Sequence, residues 1–168
     1  MKNGIYTKDL DKNKANFEPL SPVSFLKRAA EAYPRRTAIV YGSLRYSYNE
    51  FYERCRLLAS ALSKINIKEG DTVAIIAPNI PAHLEVHYAV PMIGAVLNSI
   101  NTRLDADTIS FILNHGEAKV LIVDQEFSGL IRNALKKVEN KIKIIEIEDL
   151  AVTKKVVLSE LKYESFLK

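Results

Sequence analysis

Apolar segments alternate with helix-like segments from Asp71 onward, and this alternation restricts the possible folds more than any other feature of the sequence. Four short, mainly apolar segments have the character of strands covered on both faces: VAIIA (73–77), AVLNSI (95–100), KVLIV (119–123) and KIIEI (143–147). Helical spacing separates them over residues 80–93, from Asp105 to His115–Gly116, and over residues 127–138. The pattern predicts an α/β fold in which a parallel sheet is flanked by helices and connected by right-handed crossovers.

The residues before Asp71 predict a short antiparallel hairpin between two helices. The predicted elements are a helix over residues 22–33, strands over 37–41 and 44–48 around Gly42–Ser43, and a helix reaching Ile65. Ser21 is the expected N-cap of the first helix, with Pro22 at its first position. Ser47 and Glu50 have the spacing of a capping box for the second helix. We therefore divide the chain into a flexible arm (1–16), an α/β subdomain (17–150) and a weakly defined C-terminal helix within 151–168, at about Leu158–Leu167.

The helix predicted over residues 80–93 is apolar around most of its circumference. Such a helix is usually covered on more than one side, and Pro91 should kink or end it because proline cannot donate a backbone hydrogen bond. The pattern suggests that more protein packs against this helix than the chain itself supplies.

Ligands of parallel α/β sheets bind at the carboxyl ends of the strands, here in the loops at 78–81, 101–105 and 124–126. Phosphate-binding loops need closely spaced glycines, because the backbone N–H groups must approach the anion. The six glycines of this chain are never closer than thirteen positions apart. The sequence therefore contains neither G-x-G-x-x-G nor G-x-x-x-x-G-K, and we assign no cofactor-binding residue.

Two groups of polar residues are candidates for a site. His83 and His87 share a helix face with Glu85 between them and could bind a metal, but a third ligand is unidentified, so packing or surface roles compete with metal binding. The cluster Asn98, Asn101 and Arg103 could line a cleft, or cap the helix at Asp105 and satisfy loop backbone groups, and we favour the structural role. A G-x-S-x-G nucleophile motif is absent from the sequence. We therefore assign no catalytic residue and no metal ligand.

Cys55 is the only cysteine, which rules out an intrachain disulfide and favours a reducing compartment. It lies on an apolar helix face with Phe51, Leu58 and Leu62, so we predict a buried structural thiol and no nucleophile. The net charge of +4 is dispersed among acidic residues, unlike the concentrated basic face of a nucleic-acid-binding protein. We predict no nucleic-acid partner, no membrane span and an intracellular protein, since the sequence shows no signal peptide.

Three segments resemble the start of AMP-dependent synthetases and ligases, the adenylate-forming family, and above all plant short- and medium-chain or benzoate-type acyl-CoA ligases. They are RTAIVYGSLRYSYNEFYERCRLLASAL (36–62), APNIPAHLEVHYAVPMIGAVLNSINTRLDA (77–106) and HGEAKVLIVD (115–124). The resemblance covers roughly residues 16–125 and weakens after Glu126, although YESFLK (163–168) resembles a stretch that precedes the family's nucleotide loop. It implies that the chain forms the first subdomain of the family's fold.

The resemblance also implies a reaction: a carboxylic acid and ATP give an acyl-adenylate, and coenzyme A then displaces AMP. ATP, CoA and Mg²⁺ are the cofactors implied for the full-length enzyme, and none is expected for this chain alone. The family's Ser/Thr/Gly-rich loop ending in Pro-Lys-Gly, its Thr-Glu motif, its ribose-binding Asp and its catalytic Lys have no counterpart in the sequence. We expect an N-terminal fragment that is inactive alone, or alternatively a non-catalytic interaction module derived from such a ligase.

The implied partners are the missing remainder of the ligase or a full-length homologue, and a fatty or aromatic acid for the intact enzyme. Some plant relatives are peroxisomal and end in a Ser-Lys-Leu-like tripeptide. This chain ends in Phe166-Leu167-Lys168, which does not resemble that signal. The parent enzyme is expected in peroxisomes or the cytoplasm.

Overall fold

The computed structural model describes residues 11–17, 20–148 and 156–168. Most of the predicted flexible arm, residues 1–10, lies outside the described residues, as do residues 149–155, which precede the predicted C-terminal helix.

The chain before the main sheet folds as the sequence predicts. It forms α1 (Pro22–Ala32), β1 (Thr37–Tyr41), β2 (Leu44–Ser47) and α2 (Tyr48–Lys64), with β1 and β2 paired antiparallel. The Ser21 side chain accepts a hydrogen bond from the Ser24 backbone N–H and caps α1. Ser47 and Glu50 form the predicted capping box at the start of α2. Gly42 turns the hairpin with φ of +55°, a conformation that most other residues adopt only with strain.

The main sheet contains four parallel strands in the order β4-β3-β5-β6. Its elements are β3 (Thr72–Ile76), α3 (Pro81–Met92), β4 (Val96–Ser99), α4 (Ala106–His115), β5 (Ala118–Asp124), a 3-10 turn (Gln125–Phe127), α5 (Ser128–Leu135) and β6 (Lys143–Ile147). The predicted parallel sheet and its connecting helices are confirmed. Because β4 lies on one side of β3 and β5 on the other, the carboxyl ends of β3 and β5 form the topological switch point.

Buried side chains form one core on each face of the sheet. Along β5, Leu121 and Val123 face the core beneath α4 and α5, whereas Val120 and Ile122 face the core beneath α2 and α3. This alternation explains why the strands are apolar at consecutive positions, since both faces are covered.

Helix α3 obtains its cover from the same chain. It packs against α1 and α2 on one side and against β3 and β4 on the other. Leu84 and His87 remain exposed. The helix ends at Met92, one residue after Pro91. The chain itself thus covers most of the apolar circumference of α3, and a further protein against the exposed Leu84 stays a prediction.

The predicted helix over Leu158–Leu167 is wrong in its first half. Only α6 (Tyr163–Phe166) is helical. The Glu146 backbone N–H donates to the Leu161 carbonyl at 2.9 Å, and Glu146 and Lys162 form a parallel β-bridge. The backbone before α6 is thus extended, because it bonds to the edge of β6 instead of to itself.

Among the residues that the structure describes, no helix combines the length and apolar character needed to cross a bilayer.

Candidate functional site

An apolar groove of about 670 Å³ lies at the carboxyl ends of β3 and β4, between the hairpin and α3. The groove is lined by Pro22, Ile39, Val40, Tyr41, Asn79, Ile80, Pro81, His83, Leu84, His87, Tyr88 and Ser99. Its lining includes the last three residues of the loop predicted at 78–81. Of the three loops that the sequence identified, this one therefore contributes to a cavity.

His83 is the best-defined polar group in the groove. Its Nδ1 lies 3.1 Å from the Pro78 carbonyl oxygen, and its Nε2 lies 3.0 Å from Ser99 Oγ. A carbonyl can only accept, so Nδ1 carries the proton and Nε2 of the neutral ring accepts from the Ser99 hydroxyl. These two bonds connect α3 to the ends of β3 and β4.

Burial lowers the pKa of His83 below its ordinary value of 6.5, and the nearby His87 lowers it further, although the hydrogen bond to the Pro78 carbonyl opposes the shift. We expect NMR titration of the His83 ring to show a midpoint below 6.5. Because the unfolded chain then binds the proton more readily, His83 should contribute stability above pH 6.5 that is lost as the pH falls towards its folded pKa. A His87→Gln variant distinguishes the ring resonances of His87 from those of His83. A His83 titration midpoint above 6.5 would contradict the burial of its ring.

The metal alternative for His83 and His87 receives no support from the contacts. His83 uses both ring nitrogens as described above, and His87 Nδ1 lies 2.7 Å from the His83 carbonyl oxygen. Glu85 points away from this pair and binds Arg54. Within the described ranges, no group of three or more His, Cys, Asp or Glu side chains is arranged to hold a metal ion.

Asn98, Asn101 and Arg103 are not among the residues that line the groove. Asn101 Oδ1 accepts a hydrogen bond from the Arg103 backbone N–H at 2.9 Å, which closes the loop on itself. This bond agrees with the structural interpretation of the cluster, but the predicted capping of the next helix by these residues is wrong. The cap of α4 is Asp105, whose carboxylate accepts from the backbone N–H groups of Asp107 and Thr108.

The loop predicted at 124–126 is buried at its first two residues, next to the switch point. Asp124 and Gln125 are buried, and Asp124 Oδ1 accepts from the Glu126 backbone N–H at 2.8 Å. Cys55 is fully buried, and this burial raises the pKa of its thiol, so it is the structural residue predicted from its helix face.

A buried charge cluster joins three elements beneath the groove, and the sequence analysis did not find it. Glu85 of α3 is fully buried and accepts from Arg54 Nε of α2 at 2.6 Å and from the Tyr163 hydroxyl of α6 at 2.7 Å. Arg54 also binds Glu164 and lies over the Tyr46 ring. Only the presence of Glu85 within an apolar helix could have indicated a buried partner, and its partners lie 31 and 78 residues away.

Comparison with known proteins agrees with this architecture. A family model described as AMP-binding enzyme matches residues 26–166. The chain belongs to the AMP-binding enzyme family.

Members of the AMP-binding enzyme family with curated functions are close in sequence. A peroxisomal butyrate–CoA ligase of Arabidopsis thaliana is 48% identical over 160 residues, which cover 92% of this chain but 28% of the relative. A peroxisomal benzoate–CoA ligase of the same plant is 44% identical over 164 residues, which cover 95% of this chain and 28% of the relative. The chain therefore spans less than a third of the length of these relatives.

Solved structures show the same fold. A long-chain-fatty-acid CoA ligase from Rhodopseudomonas palustris matches with a TM-score of 0.75 and 26% identity, covering 88% of this chain and 36% of that one. A benzoate CoA ligase from Burkholderia xenovorans gives a TM-score of 0.75 at 21% identity, over 86% of this chain and 27% of that one. The predicted fold class, the first α/β part of the adenylate-forming fold, is confirmed.

Proposed function

We propose that this chain is the N-terminal part of an acyl-CoA ligase and has no ligase activity alone. The observation that carries the proposal is its match to acyl-CoA ligases over 92% of its own length and 28% of theirs. The complete enzyme would convert a carboxylic acid, ATP and CoA into acyl-CoA, AMP and pyrophosphate. The groove would supply one apolar wall of the ligand site of the complete enzyme, because it lies near the carboxyl ends of the strands, where α/β proteins bind their ligands.

The residues present do not fit ATP or Mg²⁺. The loop after β3 reads Pro78-Asn79-Ile80-Pro81, where two prolines lack the backbone N–H groups that would wrap a phosphate. Mg²⁺ sites in phosphoryl chemistry use carboxylates together with phosphate oxygens, and the loops at the open groove carry no carboxylate cluster among the described residues. We therefore derive no catalytic step for this chain.

The expected result for the purified 168-residue protein is no ATP–pyrophosphate exchange above background with butyrate, benzoate or longer fatty acids. The reason is that positioning and charge stabilisation of the triphosphate supply most of the catalysis in such reactions, and this chain has no loop for either. An active plant acyl-CoA ligase measured in parallel is the control. Clear turnover by the isolated chain would overturn the proposal.

The proposed partners are the remainder of the ligase or a full-length homologue, with a fatty or aromatic acid as the substrate of the intact enzyme. The dispersed charge gives no reason to propose a nucleic-acid partner. We propose peroxisomes or the cytoplasm as the location of the parent enzyme, because several relatives are described as peroxisomal.

A second candidate function is a non-catalytic interaction module derived from such a ligase. The observation that favours it is the exposure of apolar side chains that line the groove, with Val40 62% and Leu84 41% exposed. Reading the transcript beyond the Lys168 codon separates the two functions. An open frame that encodes the Pro-Lys-Gly loop supports the ligase, whereas a stop codon directly after Lys168 supports the module.

A further inference from the structure

Residues 156–168, here called the strap, cross the β6 edge of the sheet from one face to the other. Leu158 packs against the core beneath α4 and α5, whereas Tyr163 and Leu167 belong to the core beneath α2 and α3. Between them, the Leu161 carbonyl accepts from the Glu146 backbone N–H on β6. The strap therefore covers a strand edge that would otherwise expose unpaired backbone groups.

The first anchor of the strap is Glu146, whose side chain lies on the α5 side of the sheet and is fully buried. Its Oε1 accepts from the Leu158 N–H and from the Ser128 hydroxyl, each at 3.0 Å, and its Oε2 accepts from Lys162 Nζ at 2.5 Å. Burial alone would raise the pKa of Glu146, but the bonds from Lys162, Leu158 and Ser128 outweigh burial and hold the pKa below its ordinary value. The carboxylate is thus ionised, with two of its three partners from the strap.

The second anchor is Glu85, on the opposite face of the sheet. The Tyr163 hydroxyl donates to Glu85 Oε2 at 2.7 Å, and Tyr163 is only 1% exposed. Burial, and then the Glu85 charge, raise the pKa of Tyr163, so its hydroxyl keeps the proton that it donates. Arg54 Nη1 and Nη2 extend this anchor to Glu164 of the strap, at 3.0 and 2.5 Å.

We infer that the strap is a discrete conformational unit, held on the domain by one buried carboxylate on each face of the sheet. Glu146 fixes its first half through Leu158 and Lys162, and Glu85 fixes its second half through Tyr163 and, by way of Arg54, Glu164. A buried charge that loses its partner is strongly unfavourable, so each anchor commits its half of the strap to one position. In an intact ligase the strap would set where the following residues begin. This last consequence rests on the proposed function, whereas the anchoring does not.

Hydrogen–deuterium exchange of the 168-residue protein tests the inference. In Glu146→Gln, Oε1 can still accept its two bonds, but the amide NH₂ faces the Lys162 ammonium, so we expect amides from Leu158 to Lys162 to exchange roughly 100-fold faster. In Glu85→Gln, we expect this acceleration only from Tyr163 to Lys168. Protection in β3 and β5 should remain unchanged in both variants.

A matched control removes an exposed carboxylate near the same cation. Glu148→Gln, 4.0 Å from Lys162, should change exchange of the strap less than about threefold. If a variant of a buried carboxylate fails to fold, Lys162→Met replaces it in the exchange experiment. This substitution alters the strap and leaves the core side chains intact. Unchanged strap protection in Glu146→Gln or Lys162→Met, or equal loss of protection in the strap and in β3 and β5, would overturn the inference. Either failure would leave the proposed ligase function unaffected.

Discussion

Replacing Arg54 with methionine is expected to lower the free energy of unfolding at pH 7 by about 3–5 kcal/mol. Glu85 is fully buried, and the substitution leaves its carboxylate with the Tyr163 hydroxyl as the remaining donor among the described contacts. The attraction between Glu85 and Arg54 offsets the desolvation of both charges, so removing the cation exposes the full penalty of the buried anion. Urea denaturation at pH 7 measures the difference.

Arg56 provides the control for this prediction, because it lies on the same helix and pairs with Glu53 at the surface. Arg56→Met should change the free energy of unfolding by less than about 1 kcal/mol. The double variant Arg54→Met with Glu85→Gln should be more stable than Arg54→Met alone, since it removes the unpaired charge. Equal losses for Arg54→Met and Arg56→Met would show that the buried cluster contributes no more than a surface pair.

Replacing Ile122 with alanine is expected to lower the free energy of unfolding by about 2–5 kcal/mol. Ile122 is fully buried on β5, a strand paired on both sides by β3 and β6, and its side chain lies in the core beneath α2 and α3. Deleting its methyl groups leaves a cavity that the two neighbouring strands cannot fill without breaking their register. Urea denaturation, compared with the wild type at one temperature, measures the loss.

Val96 is the matched control, because it is 52% exposed on the edge strand β4. Val96→Ala should lower the free energy of unfolding by less than about 1 kcal/mol. An Ile122→Ala protein as stable as the Val96→Ala protein would contradict the two-sided burial of β5.

The fold could be predicted from the sequence where local signals and burial agree. Ser47 and Glu50 fixed the start of α2 through a capping box that needs only neighbouring residues. The continuous apolar run VLIV (120–123) predicted a strand covered on both faces, as β5 is. Such patterns act within one turn or one strand, so they remain readable without tertiary information.

The features that escaped prediction depend on residues far apart in the chain. The extended backbone before α6 bonds to β6, and this long-range pairing overrides the weak helical pattern at Leu158–Lys162. Glu85 interrupts an apolar helix, and its partners Arg54 and Tyr163 have no local spacing that identifies them. The sequence indicated only the loop at 78–81 of the groove, because the contribution of the hairpin to the groove wall depends on tertiary packing.

We propose that this chain cannot hold a nucleotide by itself, because its loops lack closely spaced glycines for wrapping a triphosphate. Isothermal titration calorimetry of the 168-residue protein with Mg²⁺–ATP tests the claim directly. We predict heats indistinguishable from dilution up to millimolar ATP. Saturable binding with a Kd of about 10 μM or tighter, corresponding to roughly 7 kcal/mol of binding free energy, would contradict it.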